Sequence, residues 1–179
     1  GAIGSVRGSP APAEIVEVQD GSGQFVARGY YNPRSQIAVR LLTWDEEETI
    51  DRAFWERRLQ ASLARRAGLA GSAEDTAYRL VFAESDGLPG LIVDRYGDWL
   101  IVQILTLGLE PWRATLVELL GEMMGPRAIY ERSDVDVRGQ EGLKPVVGTL
   151  AGEAPAERMT IVENGLRFEV DVLHGHKTG

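Results

Sequence analysis

His174 and His176 stand two residues apart, followed directly by Lys177 and Thr178 and bounded by Gly175 and Gly179. On an extended chain both imidazoles point the same way and could share a metal. Zinc normally takes at least three protein ligands, and no third lies nearby in the sequence, so no metal is expected. Lys177 supplies an ammonium that suits a carboxylate, and Thr178 a hydroxyl that can donate a hydrogen bond. A second group is Glu131, Arg132, Asp134, Asp136 and Arg138, with charges packed after an apolar run. It forms either a surface ion network of small energetic weight or a site in which Arg132 and Arg138 reach a phosphate. Tyr30, Tyr31 and Tyr130 could stack on a base or pack at the rim of a core. Asp86-Gly87-Leu88-Pro89-Gly90 makes a turn without help from any function.

Charge limits the partners. The net charge is -8, against a simple nucleic-acid binder, because phosphate neutralisation needs clustered Lys and Arg. Four basic face three acidic side chains up to residue 42, five face eight from 43 to 75, and ten face sixteen beyond. Only the first segment, with Arg28 and Arg34, meets RNA without a repulsive background. The absence of cysteine excludes disulfides, thiolate metal sites and a cysteine nucleophile within this stretch. The longest apolar run, Trp99 to Leu109, is interrupted by Gln103, Thr106 and Gly108 and falls short of the ~20 residues of a membrane helix. No signal-peptide pattern starts the chain, so it reads as soluble and cytoplasmic.

The elements that must position these residues fall into three blocks. Residues 1–42 form a small β unit. Glu14–Gln19 and Gln24–Tyr31 are strands joined by Asp20-Gly21-Ser22-Gly23, and Asn32-Pro33-Arg34-Ser35 turns the chain into a third strand, Gln36–Leu42. Residues 43–75 are a helical linker. Ile50, Phe54, Trp55, Leu59, Leu63 and Ala67 recur at helical spacing, with Asp45 to Glu48 at the start and Arg65 and Arg66 near the end, as the helix dipole favours. Those two arginines make either a solvated face or an RNA-binding stripe. Residues 76–173 are a central domain. Strands span Tyr78–Glu84, Leu91–Arg95, Trp99–Leu105 and Ala128–Arg132, and a helix with Trp112, Leu116, Leu119, Leu120 and Met123 on one face precedes Gly125-Pro126. Met159–Glu163 and Leu166–Val172 flank Asn164-Gly165, a hairpin signature. Leu166, Phe168, Val170 and Val172 alternate with polar residues, as in a half-buried strand. The fold class is α+β: a partial β unit, a linking helix, then a sandwich in strands-helix-strands order.

Several motifs carry a resemblance. Gly175-His176-Lys177-Thr178-Gly179, Glu84-Ser85-Asp86-Gly87-Leu88-Pro89-Gly90 with Val93-Asp94-Arg95-Tyr96-Gly97, and Ile129 to Asp134 with Val137-Arg138 and Glu141-Gly142 resemble blocks of the large-subunit ribosomal-RNA methyltransferase I family. Phe25-Val26-Ala27-Arg28-Gly29-Tyr30, followed by Asn32-Pro33 and Ser35, is similar to that family's PUA-like pattern. The resemblance covers nearly the whole chain. It implies S-adenosylmethionine (SAM) as cofactor of the parent protein and ribosomal RNA as partner, with cytosine C5 as the methylated atom. It also implies that Lys177 and Thr178 lie near the cofactor pocket, in a segment 174–179 leading to a catalytic domain.

The reading is therefore an RNA-recognising and positioning part of a SAM-dependent ribosomal-RNA methyltransferase. Arg28, Arg34, Arg132 and Arg138 are its RNA contacts, and it is inactive alone. No glycine-rich SAM loop follows a strand here, and C5 methylation in this family uses a cysteine nucleophile. Two other classes stay open: a non-enzymatic PUA-like RNA-binding module, and an oligomerisation module, for which a homodimer is the simplest form.

Overall fold

The Asp20 carboxylate shapes the first hairpin. Its Oδ1 accepts from the Ser22 amide at 2.8 Å, the Ser22 hydroxyl at 2.7 Å and the Gln24 amide at 3.0 Å. Across this turn β1 (Ile15–Gln19) and β2 (Phe25–Tyr31) pair antiparallel, and β3 (Val39–Thr43) joins the other edge of β2. A Cβ at Gly29 would lie 2.1 Å from the Arg40 carbonyl oxygen, so glycine is what lets β2 and β3 approach so closely. The computed structural model describes residues 3–69 and 75–175.

Helix α1 (Arg52–Arg65) starts later than the acidic run suggested. Asp51 is extended and its carboxylate caps the Phe54 amide at 2.9 Å, leaving no acid in the first turn. A cap that satisfies an orphan N–H outweighs a loose preference for acids near the dipole. Of the earlier acids, Glu48 instead pairs with Arg57 at 2.9 Å and Arg58 at 3.4 Å.

A five-stranded sheet follows in the order β4 (Ala77–Phe82), β5 (Leu91–Tyr96), β6 (Trp99–Ile104), β7 (Ala128–Ser133), β8 (Val146–Gly152). Neighbours run antiparallel except β6 and β7, which are parallel and joined through α2 (Arg113–Met124). Strand β8 and the one-turn α3 (Val137–Gln140) had no clear sequence signal. Gly148 and Gly152 dilute the pattern of β8, an edge strand with alternating exposure. The architecture is α+β.

The hairpin β9 (Arg158–Glu163) and β10 (Leu166–Asp171) turns through Asn164 and Gly165, both at positive φ. Thr76 holds it, donating its amide to the Val162 carbonyl at 2.9 Å and accepting the Val162 amide at its hydroxyl at 2.8 Å. The apolar side of β10 is only partly covered. Val172 is buried, whereas Leu166 and Phe168 are 64% and 44% exposed, because only Ile161, Val170 and Val172 face the cleft against the sheet.

One apolar cluster crosses all three sequence blocks. Tyr30 and Leu42 of the β unit meet Phe54, Trp55 and Leu59 of α1, the sheet residues Leu80, Leu91, Val93, Leu100, Val102 and Ile104, and Leu116, Leu119 and Leu120 of α2. Trp55 packs edge-on to Phe54 at 5.1 Å and tilted against Trp112 at 5.5 Å between ring centroids. Tyr30 is 1% exposed, its hydroxyl 2.8 Å from the Pro89 carbonyl and 2.8 Å from Thr106 Oγ1, so its ring is closed to a base. Burial pushes its phenol pKa upward. The ring lies on Gly108, where a Cβ would come within 1.9 Å of Tyr30 Cγ.

Gly108→Ala should therefore force the Tyr30 ring off its seat, at about 1–3 kcal/mol. Urea unfolding measures this loss; an unchanged midpoint would show that the seam tolerates the methyl group.

Candidate functional site

Polar groups gather in two places: a seam between the β unit and the central sheet, and a cleft on the sheet face opposite the helices.

Glu141 is the centre of the seam. Its carboxylate is 2% exposed and accepts from Asn32 Nδ2 at 2.8 Å, Ser35 Oγ at 2.7 Å and Arg40 Nη2 at 2.9 Å. Asn32 Nδ2 also donates to the Glu141 carbonyl at 3.0 Å, and Arg40 Nη1 reaches Glu84 at 2.9 Å. Burial opposes the Glu141 charge, but the hydrogen bonds from Ser35, Arg40 and Asn32 outweigh it and hold the pKa below its ordinary value. The Asn-Pro-x-Ser turn is thus a clasp on a carboxylate more than a hundred residues away along the chain.

Behind the seam lies a buried ion network. Glu131 is fully buried and is paired with Arg113, and its other oxygen accepts the Ser133 hydroxyl at 2.6 Å. The Ser133 oxygen in turn accepts the Ile104 amide at 2.9 Å. Glu110 binds Arg113 at 2.8 Å and Arg138 at 2.9 Å. In the turn after β4, Asp86 accepts from Arg65 Nη2 at 2.7 Å, Arg66 Nη1 at 2.8 Å and the Phe82 amide at 2.6 Å. Burial works to raise the Asp86 pKa; the bonds from Arg66, Phe82 and Arg65 overcome it and bring it to about 2. Arg65 and Arg66 are therefore committed to Asp86 rather than arrayed as a stripe.

The four arginines expected to contact RNA separate sharply. Arg138 is 2% exposed and donates to the carbonyls of Lys144, at 2.8 Å, and Ile104. Arg132 is 5% exposed and donates to the Val172 carbonyl at 2.6 Å and to Asp134 at 3.2 Å. Arg28 donates to Glu17 at 2.9 Å and to the carbonyls of Glu48 at 2.6 Å and Glu46 at 3.2 Å. These three guanidinium groups are occupied by the fold itself, which corrects the expectation that Arg132 and Arg138 stand ready for a phosphate. Arg34 alone of the four is exposed, its side-chain methylenes resting against Gly142. Lys144, also exposed, lies two residues farther along the chain from Gly142 and was not singled out in the sequence. Lys177, Thr178 and His176 lie outside the described residues. His174 comes together with Glu157 and Asp171, ligand atoms all within 4.8 Å, but this is an exposed group with Asp171 Oδ1 already accepting the Leu173 and His174 amides at 3.0 and 2.8 Å.

The cleft, about 650 Å³, lies between the open face of the five-stranded sheet and the β9–β10 hairpin. Its floor includes Arg79, Asp94, Gln103 and Arg132; Ile161, Val170 and Val172 wall it on the hairpin side. Arg79 and Asp94 form a two-pronged pair at 2.8 and 3.0 Å. Among the described residues no glycine-rich loop joins a strand to a helix: the one parallel crossover leaves β6 through Gly108, which the Tyr30 ring covers. These residues therefore do not fit a SAM site of the usual kind.

A PUA-like domain model matches residues 1–44. A protein named Ribosomal RNA large subunit methyltransferase I from Shewanella denitrificans is 51% identical over 172 residues, which are 96% of this chain and 43% of the relative. Its namesake from Shewanella amazonensis is 48% identical over 177 residues, covering 99% of this chain and 45% of that one. The chain thus spans under half the length of the curated relatives it matches. In structure it is similar to a candidate methyltransferase complexed with SAH, with a TM-score of 0.78 at 21% identity over 93% of this chain and 41% of that one. A candidate SAM-dependent methyltransferase from Streptococcus mutans gives 0.77 at 21% identity, over 94% and 42% of the two chains.

Two outcomes follow from the buried charges. Glu141→Ala leaves Arg40 and Asn32 without their partner and should cost roughly 3 kcal/mol in urea unfolding, most of it recovered when Arg40 is also neutralised; additive losses would show that the two are not coupled. Asp86 has a folded pKa of about 2, below its ordinary 3.8. Its charge therefore stabilises the fold fully above about pH 4, and that contribution fades as pH falls toward the folded value. Stability measured down the acid limb should drop less steeply in Asp86→Asn, which starts from a lower value at pH 7; parallel curves would contradict this.

Proposed function

We propose that this chain, a relative of the large-subunit ribosomal RNA methyltransferase I proteins over nearly all of its length, is the RNA-positioning part of a SAM-dependent ribosomal-RNA methyltransferase acting on cytosine C5. The observation that carries the reading is the 51% identity over 172 residues to a protein of that name. The geometry supports it in a specific way. A PUA-like β unit that positions RNA for a distant reaction must not swing freely, since misplacement by about 1 Å can cost a hundredfold in rate. Here the unit is held by the Glu141 clasp and by Tyr30 seated on Gly108.

Arg34 and Lys144, at the seam and exposed, are the side chains proposed to meet phosphates. They add positive charge where both units would face the same RNA strand, and phosphate contacts fix register without reading sequence. Arg138 serves this surface indirectly, by donating to the Lys144 carbonyl. The chemical step requires groups that this stretch does not supply, a cysteine among them. Lys177 and Thr178 are proposed to lie at the edge of the cofactor pocket of the parent protein.

Fluorescence anisotropy with a ribosomal-RNA fragment at several salt concentrations tests the surface. Arg34→Glu combined with Lys144→Glu should weaken binding about tenfold and lower the salt slope by roughly 0.7–0.9 for each phosphate that is no longer neutralised. Binding with an unchanged slope would remove these residues from the interface. Incubated with labelled SAM and the same RNA, the 179-residue chain should incorporate no methyl group; incorporation would overturn the assignment of the chemistry elsewhere.

A further inference from the structure

Acidic residues outnumber lysine and arginine by 27 to 19 in this chain, and most of its arginines are paired with a carboxylate. Arg34 and Lys144 break that pattern. Both are exposed, and among the described residues no carboxylate pairs with either side chain.

The fold also sets them side by side. The Arg34 side chain lies along Gly142, where a Cβ would come 3.0 Å from Arg34 Cδ and 3.4 Å from its Nη1. Lys144 follows two residues later, so its Cα stands at most about 7 Å from that of Gly142, and its carbonyl is fixed by Arg138 Nε at 2.8 Å. The acid at the start of this loop is turned away. Glu141 is buried, and its carboxylate is filled by Asn32, Ser35 and Arg40. Those bonds also mount the turn that carries Arg34, whose amide donates to Asn32 Oδ1 at 3.0 Å.

We propose that Arg34 and Lys144 close on one and the same phosphate, a phosphodiester of the RNA, and that Gly142 is the positioning residue that seats the guanidinium beside the ammonium. This deepens the RNA reading above and rests on it. Two like charges held close without a counter-ion repel, and an anion between them removes that cost. The guanidinium presents a planar fork of N–H donors and the ammonium a mobile point charge, so one phosphate can take bonds from both. One cation belongs to the β unit and the other to the central domain. A phosphate gripped by both is therefore registered on the seam itself. Gly142 makes this possible in two ways: it holds φ at +78°, which glycine adopts without strain, and its missing side chain leaves room for Arg34 against the loop.

The test is the anisotropy titration with the ribosomal-RNA fragment, applied at several salt concentrations to Arg34→Ala, Lys144→Ala and the double variant. If the phosphate is shared, each single substitution should weaken binding several-fold and the double variant little further. The double variant should then lower the salt slope by about 0.7–0.9, the share of one phosphate. Additive losses, or a slope lowered by about 1.4–1.8, mean two separate phosphates and overturn the proposal while leaving the RNA surface in place. Affinity unmoved by all three variants removes the surface itself, and this inference with it. Gly142→Ala should weaken binding about as much as Arg34→Ala and add nothing in an Arg34→Ala background. An effect that persists in that background would make Gly142 a packing residue only, and overturns its positioning role. Circular dichroism at the titration temperature shows which variants are folded. Where Gly142→Ala is not, Gly142→Asn takes its place, because asparagine tolerates the left-handed backbone yet still brings a Cβ against Arg34.

Discussion

The seating of Tyr30 on Gly108 is the contact from which most of the architecture can be reasoned. An aromatic ring can come that close to a backbone only if the opposing residue has no side chain, and its hydroxyl must then find hydrogen-bond partners inside the protein. Thr106 and the Pro89 carbonyl provide them. Thr106 is itself placed by Gly90, where a Cβ would lie 2.3 Å from its hydroxyl oxygen. Strand β2 and two loops of the central sheet, 89–90 and 106–108, are thus locked by one ring, and the apolar cluster behind it runs without interruption from the β unit through α1 into the central sheet.

Around that apolar contact the protein places charge in an unusual position, inside. Glu141, Glu131, Asp86, Arg138 and Arg132 are all nearly or fully buried, and each has a named partner. Buried pairs of this kind add little net stability compared with apolar side chains of the same shape, but they are strict about geometry, because breaking one leaves a charge without compensation. Such strict geometry is what the RNA-positioning role proposed above would require. Many of the acids hold arginines within the fold.

The apolar run through β6 illustrates how a sequence irregularity acquires meaning. Three residues break it: Gln103, Thr106 and Gly108. Two are consumed in seating Tyr30. The third, Gln103, instead lines the cleft beneath the β9–β10 hairpin.

Local pattern in the sequence determined much of the secondary structure: the Asp20 hairpin, the Asn164-Gly165 turn, the amphipathic α2 and the strands β4 to β7, because turn chemistry and side-chain periodicity act over a few residues. The motif blocks and the α+β class were legible for the same reason. It misplaced the start of α1, where the Asp51 cap overrode the acidic run, and it did not reveal β8, whose glycines blur its alternation. What only the tertiary structure decided was the employment of each polar side chain. Asn32 and Ser35 look like a turn until Glu141 arrives from the far end of the chain, and Arg132 and Arg138 look like phosphate ligands until backbone carbonyls are seen to take their donors. Whether a guanidinium is free or spent depends on groups that are distant in sequence and adjacent in space, and no local pattern carries that information.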